Sequence, residues 1–154
     1  VSCGGPGSGR RAISRFKLIP EVHLLLRKEG TLLMSRRFQT GYEDGNYSLV
    51  AGHVDGEEIF REAMAREAKE EAGITLNVDD LSLALTMHRK ADDERLSLFF
   101  EATTWSGDLR NMEPIKCGDL SWFLVNELPS NTVPYIAAAL RSVQASHRYA
   151  EFGW

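Results

Sequence analysis

Apolar and polar positions along this chain lay out strands, then a helix, then more strands and a closing helix. Short apolar runs at residues 22–26 and 31–36 flank Glu29-Gly30, which reads as two strands joined by a tight turn. Residues 40–46 carry Gly41, Asp44 and Gly45 among polar and aromatic neighbours, predicting a surface loop that leads into a strand at 47–51. Residues 58–72 lack glycine and proline and consist largely of Ala, Glu, Arg, Lys and Met, all good helix formers; Gly73 supplies a C-terminal stop. Leu81, Leu83, Leu85 and Met87 then alternate with polar or small residues, the period of a strand with one buried face, and Leu96, Leu98 and Phe100 repeat it after a polar turn at 90–94. A further strand is expected at 120–125. Val133-Pro134 opens a last helix in which Ile136, Leu140 and Val143 share a face.

This order predicts an α/β domain, a mixed sheet covered by helices around one core. A chain of 154 residues suits a single domain. Residues 1–11 are glycine-rich and read as a flexible leader, leaving 12–154 as the folded unit. A formal charge of -4 argues against a general grip on a nucleic-acid polymer, which takes a concentrated basic face. Any nucleotide partner is expected to be small. Two cysteines are too few for a disulfide scaffold and point to a reducing, cytoplasmic setting, and no apolar run is long enough to span a membrane.

Candidate chemistry lies on the central helix. Glu67, Glu70 and Glu71 stand three and four residues apart, so their carboxylates project from one face and repel. Each such pair destabilises an isolated helix by roughly 0.2–0.5 kcal/mol. A solvated acidic face is the ordinary reading. A bound divalent cation is the alternative, because carboxylate oxygens select hard ions such as Mg²⁺, with Mn²⁺ also suited.

The surrounding frame decides between them. From Gly52, five residues precede Glu58, seven more precede Arg66-Glu67, and Ala68, Lys69, Glu70-Glu71, Ala72, Gly73 and Ile74 follow. That string resembles the full signature of the Nudix (MutT-like) family at every position. At residue frequencies of about 7%, seven specified letters match by chance on the order of 10⁻⁸ per starting point.

The resemblance implies a Nudix-type α/β/α sandwich and a Mg²⁺-dependent hydrolase of nucleotide-linked phosphoanhydrides. It places Glu67, Glu70 and Glu71 as metal ligands, with the Ala51 carbonyl and Glu113 or Asp119 as further candidates. Glu67 or Glu70 would be the base. Arg66, one turn before Glu70, would hold a carboxylate in place. Glu58 is expected in the opening turn of the helix, where its charge suits the dipole. Gly52, Asp55 and Gly56 form a turn-rich loop that lets backbone approach a ligand, and His53 would line the pocket. Arg36 and Arg37 can contact phosphate or merely serve solubility. Phe38, Tyr42 and Tyr47 can stack on a base or pack in the fold.

Residues 111–117, followed by Trp122-Phe123 and Leu128-Pro129, are similar to a downstream pattern of MutT-like members, several of which act on nucleoside triphosphates. No proline stands at 88–90, where ADP-ribose-hydrolysing members usually show one, and the tyrosine typical of dinucleoside polyphosphate hydrolases is missing there. Residues 32–37 are only partly similar to the motif of coenzyme A hydrolases. Three functions follow: a triphosphate pyrophosphohydrolase releasing a monophosphate and pyrophosphate; a pyrophosphatase of diphosphate-linked sugars or cofactors; or a non-enzymatic domain that senses a nucleotide or a partner. The intact glutamates disfavour the last, and a homodimer is left open.

Overall fold

A computed structural model describes residues 14–154. The expected leader at 1–11 lies outside the described residues. The elements run β1 (Ile19–Lys28), β2 (Thr31–Arg37), β3 (Tyr47–Ser48), β4 (Ala51–His53), α1 (Phe60–Ala72), a 3₁₀ turn (Val78–Asp80), β5 (Ser82–Lys90), β6 (Glu94–Ala102), β7 (Cys117–Leu124), α2 (Pro134–Gln144) and β8 (Tyr149–Phe152).

β1 is the axis of the sheet. It runs parallel to β6, antiparallel to β4 along Glu21–His23, and antiparallel to β2 only at Arg27 and Lys28. β2 continues outward to β3 and β7, while β6 continues to β5 and β8. Parallel and antiparallel pairs coexist, so the sheet is mixed, as the element order predicted.

Each face of the sheet carries its own core. Val22, Leu24, Leu26, Leu98 and Phe100 pack with Met64 and the alanines of α1. Leu25, Leu85, Met87 and Phe99 pack with Ile136, Ala139 and Leu140 of α2. Fully burying one such Leu, Met or Phe contributes about 1.5–3 kcal/mol, and the two helices clamp the sheet in an α/β/α sandwich. The α1 side chains that meet the sheet are mostly small: Ala63, Ala68 and Ala72 are fully buried. Small contacts bring the helix backbone close to β4, which carries the glutamates of α1 up to the Ala51–His53 segment.

Three expectations need correction, and one strand was not foreseen. The strand expected at 47–51 is two short strands: after Ser48 the chain leaves β2, and the Leu24 amide takes the Val50 carbonyl at 2.9 Å as β4 begins to pair with β1. The central helix starts at Phe60, not Glu58; the Glu62 carboxylate accepts from the Ile59 amide at 3.2 Å and caps it there. Glu58 therefore belongs to the preceding loop. In β5 the register shifts between Leu83 and Leu85, and this bulge leaves Leu83 half exposed while Leu85 and Met87 are buried. The closing β8 was not foreseen, because four residues pairing with a distant strand leave little local pattern. The C-terminal stop of α1 is as expected: Gly73 takes φ 71° and its amide donates to the Lys69 carbonyl.

Candidate active site

Gly52 sits where β4 passes closest to α1. A Cβ there would lie 2.0 Å from the Glu67 carboxyl carbon and 2.2 and 2.5 Å from its oxygens. The signature glycine is thus a space requirement of one carboxylate.

Arg66 ties the loop to the helix. Its Nε and Nη2 donate to the two Glu58 oxygens at 3.1 and 2.9 Å, a forked pairing. Nη2 also donates to the His53 carbonyl at 3.0 Å, and Nη1 to Glu67 Oε1 at 2.9 Å. Glu70 and Asp55 are looser partners at 3.4 and 3.3 Å. The carboxylate-holding role expected of Arg66 falls mainly on Glu58 and Glu67 rather than on Glu70. Arg66 and the Asp55 amide together hold the Glu58 carboxyl below its ordinary range.

Glu71 reaches the backbone of β4. Its Oε2 accepts from the Ala51 amide at 3.1 Å. Burial, followed by the neighbouring charges of Glu67, Glu113 and Glu70, pushes this carboxyl up to about 8 against that one hydrogen bond. Burial also raises Glu67, and the charges of Glu70 and Asp55 add to it while Arg66 opposes. Of these helix carboxylates, Glu67 and Glu70 are paired with the Arg66 guanidinium and Glu71 is not.

All of them border one cleft of 770 Å³. Glu67, Glu70, Glu71 and Glu113 line it, as do Ala51, Gly52, His53 and Arg37. Arg36 and Asp119 do not: Arg36 Nε donates to the Gly45 carbonyl, and Asp119 accepts from the Tyr47 and Ser121 hydroxyls at 2.9 and 2.6 Å. Alternation along β2 separates the two arginines, sending Arg37 to the cleft and Arg36 away from it. Of the three aromatics, Tyr42 reaches the cleft, beneath the Arg37 guanidinium at 5.2 Å, while Tyr47 packs edge-on against Phe123 and Phe38 lies outside the lining.

Among the described residues no three Asp, Glu, His or Cys groups are drawn tightly enough to grip an ion. Mutual repulsion and the competing Arg66 contacts keep the carboxylates apart. The donor set nevertheless fits the hard cation that the resemblance implies, since the Glu71 carboxylate, beside like charges, has only one N–H to stabilise it.

The cleft also holds residues that the sequence reading passed over. Glu21, buried, accepts from Arg89 Nη2 at 2.5 Å and Ser97 Oγ at 2.6 Å on one oxygen, and from Arg95 Nη1 at 3.1 Å on the other. His23 pairs with the Tyr135 hydroxyl at 2.9 Å and stacks on Phe99. The signal was present: Glu21 and His23 interrupt an otherwise apolar run at alternate positions, on the face opposite Val22 and Leu24.

Fold and site together define an α/β sandwich of the loop-helix-loop class with an acidic cleft. The NUDIX domain model matches residues 18–143, and the chain belongs to the Nudix family. Among solved structures, the MutT NUDIX hydrolase of Burkholderia pseudomallei is 25% identical with a TM-score of 0.75, covering 82% of this chain and 98% of that one. A UDP-X diphosphatase is 14% identical with a TM-score of 0.65, covering 94% of this chain and 71% of that one, a likeness of fold. Among curated proteins, the NAD-capped RNA hydrolase NudC of Vibrio parahaemolyticus is 27% identical over 119 residues, which are 77% of this chain and 44% of the relative. The NudC of Stutzerimonas stutzeri is 26% identical over 140 residues, 84% of this chain and 49% of the relative. The chain spans less than half the length of these two curated relatives.

Proposed function

We propose that this chain is a Mg²⁺-dependent hydrolase of a phosphoanhydride in a nucleotide-type substrate, releasing a nucleoside monophosphate and pyrophosphate from a triphosphate. The observation that carries the reading is the concentration of Glu67, Glu70, Glu71 and Glu113 along one cleft, with Arg66 paired to Glu67 and Glu70. A cation completes such a site, and phosphates complete the cation.

Bound there, Mg²⁺ or Mn²⁺ supplies charge neutralisation to the phosphoryl oxygens. Glu67, Glu70 and Glu71 would hold it, with the Ala51 carbonyl and Glu113 as further oxygen donors. Arg66 fixes the Glu67 carboxylate and the His53 carbonyl, so the helix and loop present their oxygens in one geometry. Glu67 or Glu70 takes the proton from the attacking water. Gly52 keeps the space around Glu67 open, and Arg37 on the facing strand offers a guanidinium to the phosphate chain.

A second reading, cleavage of a diphosphate-linked conjugate into two monophosphates, draws support from relatives described as hydrolysing NAD-capped RNA and UDP-X. Incubation with Mg²⁺ and a panel of nucleoside triphosphates, nucleotide sugars and dinucleotides, with products resolved, tests both. Pyrophosphate from triphosphates supports the first and paired monophosphates the second. Binding without turnover of any compound rejects both.

A further inference from the structure

The cleft draws its lining from both sides of the sheet. Glu67, Glu70 and Glu71 come from α1, whereas Glu21 and His23 face the α2 side of β1 and Tyr135 belongs to α2. A molecule with its phosphates at the glutamates has room to extend its other end toward this second wall.

That wall is built of buried polar groups where packing alone asks for none. Glu21, His23 and Arg89 are each less than 9% exposed, in a sheet whose neighbouring positions are Leu, Val and Phe. Apolar replacements for such a network are often neutral or stabilising, so its presence calls for a use. Its hydrogen-bonding capacity is unfilled. An ionised carboxylate offers about four lone-pair sites, and Glu21 accepts three bonds, from Arg89, Ser97 and Arg95. The Tyr135 hydroxyl has one partner, His23 Nε2. His23 Nδ1 is buried, with the Leu98 carbonyl beside the ring. Arg89 lies over the Tyr135 ring, 3.8 Å from its centroid, and holds the hydroxyl in place. Tyr42, backed by Arg37, offers a half-exposed flat face on the same cleft.

We propose that Glu21, His23 and Tyr135 form the nucleobase-reading wall of the cleft, and that it selects bases carrying an exocyclic amino group. The spare positions on Glu21 are oxygen lone pairs, and so are those of Tyr135 when its hydroxyl donates to His23 Nε2, the tautomer in which Nδ1–H faces the Leu98 carbonyl; they accept from the amino groups of cytosine, adenine or guanine. Uracil and thymine lack the amino group and offer a single imide N–H between two carbonyl oxygens, which the Glu21 carboxylate repels. This inference rests on the nucleotide-hydrolase reading above and narrows its substrate class.

The test is metal-free binding of CMP, AMP, GMP and UMP to the full chain by titration calorimetry, which needs no turnover. At least one amino-bearing monophosphate is expected to bind about tenfold more tightly than UMP, the size expected of one well-placed hydrogen bond. In Tyr135→Phe that ratio should narrow to within about threefold, with UMP affinity unchanged, whereas a merely structural role would weaken all four alike. UMP binding as tightly as the others, no binding by any, or an undiminished ratio in Tyr135→Phe overturns the proposal. Should that variant fail to fold, the wild-type ranking alone decides. Base-indifferent binding in a protein that hydrolyses nucleotides removes this inference only; base-selective binding without turnover removes the hydrolase reading and leaves the wall standing.

Discussion

Replacing Gly52 by alanine isolates the contact between the signature loop and Glu67. The added Cβ would meet the Glu67 carboxyl at 2.0–2.5 Å, well inside van der Waals contact, so the carboxylate must swing away from Arg66 Nη1, its partner at 2.9 Å. Gly52 is not among the residues with positive φ, so alanine adds no backbone strain and the effect falls on the side chain. Overpacking of this kind destabilises by about 1–3 kcal/mol, which for a chain this size lowers Tm by roughly 3–10 °C. A misplacement of about 1 Å in a reacting group can reduce rate about 100-fold. Steady-state kinetics with Mg²⁺ and the best substrate of the panel, run below the Tm of both proteins, should show kcat down by roughly that factor while the fold survives. Full activity in Gly52→Ala would refute the idea that Gly52 exists to make room for Glu67.

Other outcomes follow from the same geometry. Glu70→Gln should abolish most turnover with Tm unchanged within a few degrees, since this side chain is half exposed and loosely paired; undiminished turnover would remove Glu70 from the cation site. Arg37→Ala should raise KM by about tenfold or more while Arg36→Ala leaves it alone, because only Arg37 lines the cleft; equal effects would count against the assigned directions of the β2 side chains. Two groups should lose stability on acidification, while Glu71, raised to about 8, gains it as pH falls toward its ordinary 4.5. Burial and the nearby Arg89 charge hold His23 down to about 4, so between its ordinary 6.5 and 4 the unfolded chain takes up the proton first and about 3 kcal/mol is lost as pH falls through that window. Burial of Glu21 is outweighed by His23, Ser97 and Arg89, which bring it down to about 2, so its stabilisation is present above its ordinary 4.5 and lost as pH falls toward 2. Denaturant midpoints measured from pH 7 to 4 in Glu71→Gln, which removes the opposing titration, check the first loss: a flat profile there contradicts the neutral buried imidazole, and adding His23→Asn should flatten it.

What could be read from the sequence was what lies close together in it. Gly52 to Ile74 form one continuous loop and helix, so the spacing of Glu58, Arg66, Glu67, Glu70 and Glu71 carried their juxtaposition directly. The helix start was misplaced because Glu58 is a good helix former, and the tertiary pull of Arg66 holds it in the loop instead. The break between β3 and β4 depends on which neighbour, β2 or β1, the strand pairs with, and local pattern does not encode partners. The wall opposite the glutamates was harder still. Glu21, Arg89, Ser97 and Tyr135 come from β1, β5, β6 and α2, and only the topology brings them together. Arg36 and Arg37, adjacent in the chain, were separable only once β2 had been placed in its sheet.

Titration of the full chain with Mn²⁺, followed by electron paramagnetic resonance, tests the cation site most directly. Saturable binding that is tightened by a non-hydrolysable triphosphate and weakened about tenfold or more by Glu71→Gln is the expected result. No saturable Mn²⁺ binding with the nucleotide present, or binding indifferent to Glu71→Gln, contradicts the acidic cleft as a cation site.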